Sequence, residues 1–104
     1  MIDVNKAILA AVKTGKITLG SKRTMDAARA GKAKLIIIAS NCPSPVRRDI
    51  EYYAHLSNIP VYIYNSSNID LGIACRKHFT VTAMAIKESG DSEILKLAEA
   101  SHGE

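Results

Sequence analysis

Three short stretches of this chain hold the residue types that grip a phosphate or a nucleobase: Gly20-Ser21-Lys22-Arg23-Thr24, Ser40-Asn41-Cys42-Pro43-Ser44 and His78-Phe79-Thr80-Val81, the last preceded by Arg76-Lys77. A glycine turn entering a helix leaves backbone N–H groups free for an anion, and Lys22 and Arg23 add charge beside them. Asn41 offers a donor and an acceptor from one amide, which suits a base edge, although Asn in such a turn also satisfies its own backbone. Phe79, the only Phe, is either a core residue or an exposed stacking surface for a splayed-out base, and Val81 is core by default. Arg47 and Arg48 either extend a cationic rim or pair with Asp49 and Glu51 for little energetic gain.

Catalytic and metal chemistry find less support. His55, His78 and His102 have no metal-ligand spacing with one another or with the acids, and neither a Gly-x-Ser-x-Gly elbow nor a Gly-x-x-x-x-Gly-Lys loop occurs. Ser40 or Cys42 at a strand end is a conceivable nucleophile, but no base or oxyanion donor is assigned to it. Cys42 and Cys75 lack C-x-x-C spacing and read as free thiols.

The elements that must position these loops follow from periodicity. Leu35-Ile36-Ile37-Ile38-Ala39 is a continuous apolar run, the signature of a strand covered on both faces, and it starts near Lys34. Asp3 caps a first helix carrying Val4, Ile8, Ala11 and Val12 on one face, stopped by Gly15. Ile17 to Leu19 is a short strand, followed by a glycine turn into a helix start bearing Lys22 and Arg23, and Asp26 to Ala30 resume the helical character until Gly31 ends it. Ser44 is expected as an N-cap with Pro45 at the first helical position, above an inward stripe of Val46, Ile50, Tyr53, Ala54 and Ser57. Val61 to Tyr64 is the next strand. Ser67 and Asp70 have capping-box spacing before a helix with Leu71, Ala74, Cys75 and His78 on one face. Thr80 to Ile86 reads as the last strand, and Asp91 or Ser92 starts a final helix stabilised by Ile94, Leu95, Leu97 and Ala98, with a frayed tail from Ser101. Strands alternating with helices predict an α/β/α sandwich around a mixed or mostly parallel sheet.

The 104 residues, 47% of them apolar, fit one domain over positions 1–104. No apolar run approaches the ~20 residues of a membrane span, and no signal segment is evident, so an intracellular, soluble protein is expected. The net charge of +4 is unevenly spread: residues 1–34 hold eight Lys/Arg against two acids, and residues 88–104 hold five acids against one Lys. Such asymmetry suits a polyanion approached by one side, although a solvated surface also explains it.

Four blocks carry a resemblance over nearly the whole chain: Leu35 to Ala39 with Asn41-Cys42-Pro43, Ile50-Glu51-Tyr52-Tyr53-Ala54, Ile69-Asp70-Leu71-Gly72-Ile73-Ala74-Cys75, and Gly90-Asp91-Ser92-Glu93-Ile94. In this order they resemble the archaeal and eukaryotic large-subunit ribosomal protein family L30e, within the L7Ae superfamily that recognises kink-turn RNA. The resemblance implies a three-layer α/β/α sandwich with a four-stranded mixed sheet, no catalysis and no cofactor. It implies rRNA and neighbouring ribosomal components as partners, a cytoplasmic ribosomal location and a chain that is monomeric when free. Carried onto this sequence, the family's three RNA-gripping loops correspond to Gly20, Lys22 and Thr24, to Asn41, and to Phe79 and Val81. Arg23, Arg76 and Lys77 join them as phosphate contacts. Arg76 departs from the pattern, since the family commonly has Gly there, at a helix end that tolerates a left-handed residue. Two rival readings are a kink-turn protein of a non-ribosomal ribonucleoprotein and a protein-interaction module that reuses the fold.

Overall fold

The computed structural model describes residues 3–97. Among the described residues four helices and four strands alternate: α1 (Val4–Thr14), β1 (Lys16–Leu19), α2 (Ser21–Arg29), β2 (Leu35–Ala39), α3 (Ser44–Leu56), β3 (Val61–Tyr64), α4 (Asn68–Ala74) and β4 (Ala83–Glu88). The sheet order is β1-β4-β2-β3, antiparallel except for the β2–β3 pair, so the sheet is mixed.

All five residues of β2 are wholly buried. Leu35, Ile37 and Ala39 pack with Ile8 and Ala11 of α1 and Leu71 of α4, whereas Ile36 and Ile38 pack with Ala27 and Ala28 of α2 and Ile50 and Ala54 of α3. The period-2 alternation of the strand thus serves two cores, one on each sheet face. Burial of each Ile is worth about 1.5–3 kcal/mol. The α/β/α sandwich expected from the sequence is present.

Helix ends show why the chain breaks where it does. Asp3 Oδ1 accepts the Lys6 N–H at 3.2 Å, and Ser67 Oγ accepts the Asp70 N–H at 3.2 Å. The capping box at α4 is only half made, because the Asp70 carboxylate takes the Ser66 hydroxyl. Ser44 differs from expectation: it is the first helical residue of α3 after Pro43 and caps nothing with its side chain. Three helices close in the same way, with residues Gly31, Asn58 and Arg76 at positive φ. In each, the next N–H reaches back to the helix: Lys32 to Ala27, Ile59 to Ala54 and Lys77 to Gly72, at 2.8–3.0 Å.

Two boundaries depart from the sequence reading. Arg76, at φ 59°, ends α4 early, so His78 is exposed beyond the helix and does not join Leu71 and Cys75 in the core. The β4 ladder begins at Ala83, not Thr80, because the Val81 N–H bonds the Asn68 carbonyl at 3.0 Å. After β4, Ser92 Oγ donates to the Ala7 carbonyl and accepts the Ile94 N–H, and Ile94 and Leu97 are buried against α1. The final helix expected to start at Asp91 or Ser92 is not formed over residues 91–95, which run as turns and irregular backbone; Ala98, the tail from Ser101 and His102 lie outside the described residues.

Candidate nucleic-acid interface

Strand register brings the ends of four elements to one rim. Leu19 lies opposite Met84, Ile38 opposite Ala83, and Ala39 beside Tyr64. The start of β4 and the residue just before it then tie the loops together: the Gly20 N–H donates to the Ala83 carbonyl at 2.9 Å, and the Ala39 N–H to the Thr82 carbonyl at 2.8 Å. The Ser40 N–H and hydroxyl both donate to the Ser66 carbonyl, at 3.0 and 2.7 Å.

At the first loop, Gly20 precedes α2 at φ 106°, ψ 148°, a conformation that a side chain would strain. No side chain caps α2, so the N–H groups of Ser21, Lys22 and Arg23 come before its first backbone bond, from Thr24 N–H to the Gly20 carbonyl at 2.9 Å. The helix dipole adds partial positive charge at that point. Lys22 and Arg23 are exposed beside it. Thr24 is not: its side chain is wholly buried, and its hydroxyl has no hydrogen-bond partner. As a direct surface contact Thr24 is therefore corrected to a buried residue beneath the loop.

Asn41 is exposed, yet its amide is committed on one side. Its Oδ1 accepts the Asn68 N–H at 2.8 Å and its Nδ2 donates to Asn68 Oδ1 at 2.9 Å. One donor and one acceptor position remain on the amide. The local turn reading is thereby overturned: Asn41 bonds a helix start 27 residues away, not its own backbone. Asn68 is a positioning residue that the sequence reading missed, and an Asn opening a polar turn carries no signal of so distant a partner.

The third loop lies on α4 because residue 72 is Gly. A Cβ on Gly72 would overlap the Phe79 carbonyl, so the loop backbone packs directly on the helix. Phe79 is 58% exposed, which decides between core and surface. Lys77 and Arg76 are also exposed. Val81 is wholly buried among Leu71, Met84 and Ile86, so its side chain supports the loop from below and does not present to solvent. Phe79, Lys77 and Arg23 line one groove, which brings the first and third loops together; Asn41 lies across the rim, linked to the third loop through Asn68.

Other candidates resolve differently. Arg47 pairs with Glu51 at 3.0 Å, the surface-pair alternative. Cys42 and Cys75 are free and buried. Burial pushes the Cys42 thiol up despite the counteracting charge of Arg47, which disfavours a nucleophilic thiolate. No cluster of metal-binding side chains occurs among the described residues.

Fold and rim define a class of α/β/α proteins that present loops and a basic helix start at one end of a mixed sheet. A sequence model of the ribosomal protein L7Ae/L30e/S12e/Gadd45 family matches residues 2–96, and the chain belongs to this family. The large ribosomal subunit protein eL30 of Methanothermobacter thermautotrophicus is 48% identical over 96 residues, covering 92% of this chain and 98% of that protein. The protein of the same name from Methanocaldococcus jannaschii is 46% identical, covering 98% and 93%. That of the plant Euphorbia esula is 44% identical, covering 96% and 89%. These names are those of ribosomal proteins and not of enzymes, in accord with the expected lack of catalysis.

Proposed function

We propose that this protein is a structural constituent of the large ribosomal subunit, acting as one RNA-binding unit that holds a kink-turn in rRNA. The observation that carries the reading is the convergence of an uncapped basic helix start, a half-committed Asn amide and an exposed Phe on one hydrogen-bonded rim. The ribosomal names of the relatives supply the setting.

In this mechanism the α2 N–H groups with Lys22 and Arg23 neutralise phosphates crowded at the bend, Lys77 does the same across the groove, and Arg76, exposed just before it in the chain, adds a further phosphate contact. The free half of the Asn41 amide meets a purine edge in the tandem G·A region. Phe79 covers a flipped-out nucleotide. Thr24 and Val81 act indirectly, by holding their loops in place. No bond is made or broken and no cofactor is needed.

The test is a salt-titrated binding assay with a kink-turn RNA and a matched duplex whose tandem G·A pairs are replaced by Watson–Crick pairs. Strong preference for the kinked RNA, weakened by Asn41→Ala, is expected. Equal weak binding to both, vanishing in moderate salt, would leave only a nonspecific basic surface and favour a protein partner.

A further inference from the structure

The open edge of β1 carries a second cationic feature that continues from the rim. A shallow groove of about 870 Å³ runs over this edge, lined by Arg23, Lys32, Lys77 and Lys87, with Phe79 near one end. Asp26 is the one acid on its walls. All four cations are exposed, and none of them makes an ion pair among the described residues. Lys32 follows α2 and Lys87 is the penultimate residue of β4, so the two come from separate elements to the same trough. Lysines on an edge strand itself also deter strand pairing between molecules. Here, however, the charges flank β1 from neighbouring elements and are continuous with Arg23 and Lys77 at the rim.

We infer that this groove takes the sugar-phosphate backbone of an RNA arm leaving the bend, with Lys32 and Lys87 as its phosphate contacts; the inference rests on the RNA reading above. Charge complementarity selects the occupant, because four unpaired cations against one carboxylate repel a basic peptide and attract a polyanion. The shape agrees. The four residues of β1 span about 13 Å, enough for more than one phosphate along a strand, and the trough is open enough to admit a helical arm without reading its bases.

The experiment compares a short-armed kink-turn RNA with two versions in which one arm or the other is extended by a helical turn. For the unaltered protein, one extension should tighten binding by roughly tenfold near 0.1 M salt and steepen the log K against log salt slope by about 0.9 for each added phosphate contact. Lys32→Gln combined with Lys87→Gln should abolish that gain while leaving short-arm affinity unchanged, and Lys→Arg at both positions should keep it. Equal binding of short and extended RNAs by the unaltered protein overturns the groove assignment, as does a gain that survives the double Gln variant. Failure of the unaltered protein to prefer even the short kink-turn RNA overturns the kink-turn reading itself. Each single Gln variant provides the same comparison should the double variant not fold.

Discussion

At Arg76 one side chain stands between two demands. The C-terminal turn of α4 requires the left-handed conformation there, φ 59°, and its N–H closes on the Ile73 carbonyl at 2.9 Å. An L-residue with a Cβ pays roughly 1 kcal/mol for that conformation, a cost that Gly31 avoids and Asn58 reduces at the equivalent ends of α2 and α3. Arg76→Gly is therefore expected to raise stability by up to about 1 kcal/mol, read as a higher urea midpoint with an unchanged slope. The same change removes an exposed cation three residues before Phe79, so RNA affinity should fall and its salt dependence flatten by about 0.9 if Arg76 holds a phosphate. A stability gain with no change in binding would assign Arg76 to the backbone alone.

At the level of elements, Gly72 decides where the third loop sits. Gly72→Ala places a methyl against the Phe79 carbonyl, and the loop must move off α4. RNA affinity should drop by about as much as in Phe79→Ala, roughly 1–3 kcal/mol for a lost base stack, although residue 79 is untouched. Wild-type affinity in the folded Ala variant would show that the loop position is irrelevant to binding. How far such elements were legible depended on whether their signal was local. The five-residue run of β2 announced a strand buried on both faces, and the stripe of α3 announced its core side, because burial repeats with the element's own period. The end of α4 was misread because Arg76 offers no stop signal, which carried His78 wrongly inward. Thr80-Val81-Thr82 has the β-branched character of a strand, yet its ladder is pre-empted by Asn68, a bond set by tertiary placement. For the same reason Phe79 and Thr24 could not be sorted by sequence pattern: a lone aromatic and a helix-start Thr are compatible with either side of the surface.

Over the whole molecule, burial of the two thiols links stability to alkaline pH. Cys75, 1% exposed at the C-cap of α4, has its pKa raised by burial from 9.0 to about 11. Between those values the unfolded chain loses a proton that the native chain keeps, so stability is unaffected below about pH 9 and declines as pH rises toward 11. Denaturant melts at pH 8, 9.5 and 10.5 should show that decline, and Cys75→Ala should flatten it at the expense of a cavity. An identical pH profile in the Ala variant would trace the decline to other groups. Cations from both halves of the chain also meet at this scale, since Arg23 and Lys77 line one groove. Finally, β4 lies in the middle of the sheet, and its first residue and the one just before it anchor the Gly20 and Ala39 turns. A strand so late in the chain is synthesised after almost everything it fastens, so a nascent polypeptide ending before Ala83 lacks the anchor of its Gly20 turn, although the Ser40–Ser66 and Asn41–Asn68 bonds do not depend on β4. On the RNA-binding reading proposed above, the rim is then complete only when synthesis is nearly finished.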